Sequence, residues 1–113
     1  PAGLLTYVAT GAECEILTLN AAQQWAGAGS AIIAAVHALA TERGCRRLWL
    51  VTTNDNLDAL RFYQRRGFRL AVFRPRAVDD ARRRLKPEIP RVGEYGIPIR
   101  DEIELEMPLV EDG

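Results

Sequence analysis

The segment Gln24–Gly29 combines residue types that can bind a phosphate group. It reads Gln-Trp-Ala-Gly-Ala-Gly and lies between a run with strand character and a run with helical periodicity. Gly27 and Gly29 have no Cβ, so the free amides at the start of a helix can approach a pyrophosphate, assisted by the helix dipole. Gln24 and Ser30 can add side-chain hydrogen bonds. Structural tight turns and dinucleotide-binding turns also use glycine pairs. A Rossmann loop fits poorly, because the third glycine position holds the large residue Ile32.

A second pattern follows at residues 56–68. It begins with Asn56-Leu57-Asp58-Ala59, continues with Phe62-Tyr63 and closes with Gly67-Phe68. Tyr63 is a possible core tyrosine, but it also carries a hydroxyl that can take part in proton transfer.

The elements that position these residues begin with a hairpin of Gly3–Thr10 and Glu13–Leu19. From Gly29, apolar residues at three- and four-residue steps predict an amphipathic helix that stops at Gly44. Arg47–Thr53 is almost continuously apolar and β-branched, which predicts a central strand covered on both faces, with Trp49 in the core.

The second half of the chain continues the alternation. Asn54-Asp55-Asn56 provides N-cap chemistry for a helix that runs to about Arg66, with Leu57, Leu60 and Tyr63 toward the core. The remaining elements, in order, are a strand at Phe68–Phe73, a short helix at Ala77–Leu85, an ordered loop at Lys86–Arg100 and a strand at Glu102–Met107. In the last strand Ile103, Leu105 and Met107 are expected inside and the three intervening glutamates outside.

Length and composition restrict the protein to few classes. With 113 residues, of which 48% are hydrophobic and 27% charged, it is expected to be a single domain over 1–113. Zero net charge gives no reason to expect nucleic acid as a partner, and no apolar run is long enough for a membrane. Cys14 and Cys45 lack metal-site spacing, so we expect two ordinary thiols and no metal. The first residues lack the basic-then-apolar order of a secretory signal, so we expect a cytoplasmic location.

Both patterns together identify the chain as similar to the GNAT superfamily of N-acetyltransferases. Gln24–Gly29 matches that family's Arg/Gln-x-x-Gly-x-Gly/Ala loop, and residues 56–68 match its Asn-x-x-Ala-x-x-φ-Tyr-x-x-x-Gly-φ pattern, where φ is apolar. The resemblance implies an α/β fold with a mixed, largely antiparallel central sheet and flanking helices. It also implies acetyl-CoA as cosubstrate and direct acetyl transfer to a primary amine on a small molecule or a peptide.

The resemblance also assigns roles to residues. Tyr63 would protonate the departing thiolate of CoA, and Asn56 would contact the pantetheine arm. Glu15 is the first candidate for the general base and Glu13 the second; either could instead be an ordinary solvent-facing carboxylate. Cofactor-binding residues carried over by position are Leu19, Asn20, Ala21, Gln24, Trp25, Ala26, Gly27, Ala28, Gly29, Ser30, Asn56, Ala59, Phe62 and Tyr63.

The usual domain of this family opens with a strand, two helices and a strand before the hairpin at Gly3–Leu19. The sequence therefore resembles an N-terminally shortened form, and an unpaired sheet edge leads us to expect a homodimer. A second hypothesis is a CoA-binding module or regulatory subunit without acceptor turnover. A third is a structural interaction protein without affinity for CoA.

Overall fold

The computed structural model describes residues 5–10, 13–19 and 28–109, with side chains at 13–16 and 30–109. Within these ranges the chain forms five strands and three helices. The strands are β1 (Leu5–Thr10), β2 (Glu13–Leu19), β3 (Arg47–Thr53), β4 (Arg69–Arg74) and β5 (Glu102–Pro108). The helices are α1 (Ala28–Glu42), α2 (Leu57–Arg65) and α3 (Ala77–Arg84), and Glu94–Gly96 forms a 3-10 turn.

The strands form one sheet in the order β1-β2-β3-β5-β4. β1 and β2 are antiparallel, whereas β2 and β3 are parallel, so the sheet is mixed. The predicted hairpin and the central position of β3 are both confirmed. The predicted mixed α/β architecture is confirmed as well.

The chain divides into two compact units. One is formed by residues 1–50 and 106–113, and the other by residues 51–105. In the first, the apolar stripe of α1 is buried at Ile33, Val36 and Ala40, as the three- and four-residue spacing predicts. Gly44 ends this helix with a φ of +78°, a conformation that costs glycine little. Strand residues complete the core of this unit: Cys14, Ile16, Leu48 and Leu50.

The core of the second unit is centred on aromatic residues. Phe62, Tyr63 and Phe68 are all buried, and the Tyr63 ring meets the other two edge-on, with centroid distances of 5.0 and 5.3 Å. Such edge-to-face pairs add to the stabilisation that burial itself provides. Ala59, Val78 and Leu105 complete this core.

Four side-chain placements predicted from the sequence are wrong. Only one face of β3 is buried, at Leu48 and Leu50, while Val51 is 37% exposed. Trp49 is half-buried on the other face, with the Arg47 guanidinium 5.1 Å from its ring centroid. Leu57 is exposed because it occupies the first position of α2. Glu104, expected outside, is buried, and Arg74 Nη2 lies 2.7 Å from its Oε1.

Several features of the described ranges bear on function class. No helix there has both the length and the apolar character needed to cross a bilayer. No group of three or more His, Cys, Asp or Glu side chains in those ranges could hold a metal ion. Cys14 and Cys45 are free and buried, and burial, together with Cys45, raises the pKa of the Cys14 thiol. A protonated, buried thiol is a poor nucleophile.

Candidate functional site

β2 and β3 separate before either strand ends. Their parallel register consists of three pairs and finishes at Glu15 and Trp49, although β2 continues to Leu19. Beyond that point the backbone of β2 that faces away from β1 has no strand partner among the described residues. Unsatisfied backbone groups at an opened strand pair can bind an extended ligand.

A β-bulge lies in the same stretch of β2. Tyr7 pairs with Ile16 and Thr6 with Thr18, so one step on β1 spans two steps on β2, and Leu17 is the extra residue. Bulges interrupt regular pairing and are frequent beside binding sites. No turn or glycine signal in the sequence predicts this one. It lies two residues before Leu19, the first of the residues expected to contact the cofactor through the backbone.

The two candidate bases on β2 differ in their surroundings. Glu13 is exposed, and Arg47 Nη2 lies 3.0 Å from its Oε1, while Arg47 Nη1 lies 2.9 Å from Glu106 Oε1. Glu15 is half-buried and occupies the last paired position before the strands separate. No partner for its carboxylate is found among the described residues. Glu13 is thus part of a surface ion-pair network, and Glu15 is the carboxylate next to the opening.

The phosphate-binding candidates fall partly outside the described residues. Those outside are Asn20, Ala21, Gln24, Trp25, Ala26 and Gly27. Ala28, Gly29 and Ser30 form the first turn of α1, which contains no acidic residue. A helix start without a carboxylate leaves its partial positive charge available to an anion.

α2 brings Asn56, Ala59, Phe62 and Tyr63 together on one element. Asn56 is the N-cap, and its Oδ1 accepts a hydrogen bond of 3.2 Å from the Ala59 amide. The asparagine of the family pattern therefore caps α2, which confirms the N-cap chemistry predicted for Asn54-Asp55-Asn56. Its contact with a pantetheine arm stays a prediction.

Tyr63 is 5% exposed, and burial raises the pKa of its phenol to about 12. Its hydroxyl has no hydrogen-bond partner among the described residues, yet no buried side-chain oxygen or nitrogen among them lacks a partner. The ring is therefore fixed in the core, and the raised pKa keeps the hydroxyl protonated near neutral pH.

The loop 86–100 is fastened to the start of α2 by residues that the sequence suggested only as caps. Asn54 Oδ1 accepts hydrogen bonds from the amides of Arg100 and Asp101, at 2.9 and 3.0 Å, and its Nδ2 donates to Pro98 O. Asp55, which is 5% exposed, accepts from the Glu94 amide at 3.0 Å. Three consecutive side chains thus have separate roles. Asn54 binds the base of this loop, Asp55 binds its tip, and Asn56 caps α2.

Contacts of Gly93 and Tyr95 fix the backbone conformation at the tip of the loop. A Cβ on Gly93 would overlap the Asp55 carboxylate, so this position requires glycine. Tyr95 has a φ of +58° and donates a hydrogen bond from its hydroxyl to Asp58 Oδ1. That bond raises the pKa of Tyr95. A left-handed tyrosine persists only where its surroundings fix it, so this is an ordered loop, as predicted.

Comparison with known proteins places the chain among acetyltransferases. The model of the Acetyltransferase (GNAT) family matches residues 3–68, more than half of the chain, and that stretch includes both motifs. The chain belongs to the GNAT acetyltransferase family. Enzymes of this family use acetyl-CoA as cosubstrate.

The GNAT relatives include two from Bacillus subtilis (strain 168). The chain is 48% identical to the uncharacterized protein YdhI and 43% identical to the uncharacterized protein YxbD, over 101 residues in each case. Each match covers 89% of this chain, which spans 62% and 63% of the lengths of these two relatives.

Solved structures support the GNAT fold. An acetyltransferase from Bacillus subtilis in complex with CoA superimposes with a TM-score of 0.79 at 23% identity, covering 96% of this chain and 70% of the other. A GNAT family acetyltransferase from Elizabethkingia anophelis with acetyl-CoA bound gives 0.78 at 24% identity, covering 95% and 68%. At this identity the likeness concerns the fold.

Proposed function

We propose that this protein is an N-acetyltransferase that moves the acetyl group of acetyl-CoA to a primary amine by direct attack. The observation that carries the proposal is the separation of β2 from β3 after Glu15. An opened parallel pair supplies backbone N–H and C=O groups on one side, which suits the amide-containing pantetheine arm and the thioester of CoA. Family membership makes acetyl-CoA the ligand to expect there.

The start of α1 is the proposed site for the pyrophosphate. Backbone amides from Gly27 to Ser30 would donate hydrogen bonds to its oxygens, with side-chain help from Gln24. The glycines allow the approach, and the absence of a carboxylate in this first turn avoids repulsion. Trp25 and Ala26 belong to the same proposed loop.

Glu15 and Tyr63 are the proposed proton carriers. The amine must lose a proton before it attacks, and the half-buried Glu15 is the proposed base. When the C–S bond breaks, its electron pair remains on sulfur, and Tyr63 would donate its proton to that thiolate. A phenol with a pKa of about 12 is a weak acid beside an ordinary thiol, but a dry cleft raises the pKa of the thiol as well.

Calorimetry with acetyl-CoA, followed by release of free thiol over a panel of primary amines, tests this proposal. Binding with amine-dependent thiol release is the expected result. Binding without release on any amine would favour the alternative of a CoA-binding module without acceptor turnover. Absence of binding would contradict both functions and leave the structural interaction protein.

A homodimer remains our expectation for the assembly. β4 is the last strand in the sheet order, and Leu70, Val72 and Phe73 on it are exposed by 55, 39 and 60%. Exposed apolar residues on an edge strand promote association between chains. Sedimentation should show a dimer, and a monodisperse monomer at high concentration would contradict it.

A further inference from the structure

α3 and the first part of the loop 86–100 enclose a cleft that the proposed acetyl transfer does not use. The cleft has a volume of about 480 Å³ and is lined by Asp79, Arg82, Arg83, Pro87 and Arg91. We call it the arginine cleft. Its volume lies in the range of small-molecule sites, and its lining carries three guanidinium groups but one carboxylate.

Arg82 lines the arginine cleft, but most of its N–H groups are used in hydrogen bonds within the protein. It is 8% exposed; its Nε donates to Ile89 O at 2.9 Å, and its Nη2 donates to Pro90 O and Ile99 O at 2.7 and 3.0 Å. Its Nη1 donates to Asp79 Oδ1 at 2.8 Å. Arg82 thus uses four of its five N–H groups, and it also occupies the only carboxylate of the lining.

Arg83 and Arg91 are in a different situation. Both are exposed, and neither guanidinium has a hydrogen bond or an ion pair among the described residues. One lies on α3 and the other on the loop, so the two elements present unpaired cations to one concave surface. Positive groups with no anionic partner give such a surface a positive potential that concentrates anions.

From this arrangement we infer that the arginine cleft binds the oxyanion group of a small molecule, either a phosphate or a carboxylate, between Arg83 and Arg91. A planar guanidinium can donate two parallel hydrogen bonds to either group. The part-buried ion pair of Arg82 with Asp79 joins two residues of the lining and leaves the two exposed arginines unneutralised.

Inorganic phosphate and malonate are the probes, each titrated at low ionic strength, where exposed charges are least screened. Binding is followed by NMR through the side-chain N–H resonances of Arg83 and Arg91. Arg83→Gln and Arg91→Gln should each weaken binding by about tenfold, the loss expected for one charge-assisted interaction. Arg84→Gln is the matched control, because Arg84 is an exposed neighbour on α3 that does not line the cleft.

A second control separates this site from the proposed cofactor site, since phosphate can also bind at the start of α1. The double variant Gly27→Asp, Gly29→Asp should keep the shifts at Arg83 and Arg91 while losing acetyl-CoA. Saturable binding of either probe that both glutamine variants weaken supports the inference, and the tighter probe identifies the oxyanion. The inference is overturned if neither probe shifts these resonances, or if the remaining arginine in each single variant still titrates with the wild-type affinity.

Discussion

α1 and α2 begin in opposite ways. The first turn of α1 is Ala28-Gly29-Ser30, with no carboxylate and little side-chain bulk. The first turn of α2 is filled by its own side chains: Asn56 caps the Ala59 amide, and Asp58 supplies a negative charge. A helix start that satisfies itself has little left for a ligand, whereas one without side-chain anions can receive a phosphate. The comparison teaches that the start of α1 is suited to bind an anion through its backbone, whereas α2 offers a side chain, the proposed proton donor Tyr63.

Among the predicted changes, removal of the Tyr63 hydroxyl should have the largest effect, and that effect should be on kcat. Tyr63→Phe keeps the ring that packs against Phe62 and Phe68, so folding and acetyl-CoA affinity should change little. Loss of the proton donor should reduce kcat by about 10²–10⁴-fold. Steady-state kinetics and calorimetry measure the two quantities. Phe68→Leu is the control, because it disturbs the same packing but retains the hydroxyl. Unchanged kcat in Tyr63→Phe would remove Tyr63 from the mechanism.

Filling the start of α1 with charge tests the other half of the comparison. Gly27→Asp with Gly29→Asp adds two carboxylates where a pyrophosphate is proposed to bind, and acetyl-CoA should bind about 10²–10³-fold more weakly. Carboxylates in a first turn favour the helix, so the fold should survive. Ala35→Asp, exposed in the middle of α1, controls for added charge. Affinity that is unaffected in the double variant, measured by calorimetry, would refute the proposed site.

The buried phenol should also appear in the pH dependence of stability. Burial raises the pKa of Tyr63 to about 12, whereas the unfolded value is about 10. The neutral form is favoured in the folded state, so its contribution is complete below about pH 10 and is lost as pH rises toward about 12. At pH 11.5 the loss amounts to roughly 2 kcal/mol. Urea unfolding at about pH 9 and pH 11.5 should show this fall in the wild type and not in Tyr63→Phe. Equal falls in both proteins would contradict it.

The sequence predicts the positions of helices and strands better than it predicts the burial and partners of individual side chains, for physical reasons. Apolar spacing determines which residues can share a helix face, so α1 and its buried stripe follow from the positions of Ile33, Val36 and Ala40. The burial of Glu104 depends on Arg74, 30 residues earlier in the chain, and no local pattern contains that pairing. Residue type alone therefore predicted that the face of β5 carrying Glu104 is exposed, whereas Glu104 and Leu105 are buried on opposite faces of the strand.

The candidate site shows the same limit. Family motifs predict Tyr63 and its position on a helix, but the early separation of β2 from β3 and the bulge at Leu17 depend on pairing between strands. The sequence predicts N-cap chemistry around Asp55 and gives no signal that Arg82 is buried. Both are buried because they form hydrogen bonds with the backbone of the loop 86–100. The loop has no residue periodicity from which these contacts could be predicted.

The smallest predicted effect concerns Asn56. Its side chain caps α2 and is also proposed to contact the pantetheine arm, so variants can separate the two roles. Asn56→Ala removes the cap on Ala59 and should lower the free energy of unfolding by about 1 kcal/mol, as measured in urea. Asn56→Ser keeps a capping oxygen but loses the amide, so it should restore most of that stability. If Asn56 also contacts the pantetheine arm, the KM for acetyl-CoA should rise in both variants. A serine variant with normal stability and normal KM would limit the Asn56 side chain to capping, because its amide would then contribute nothing to cofactor binding.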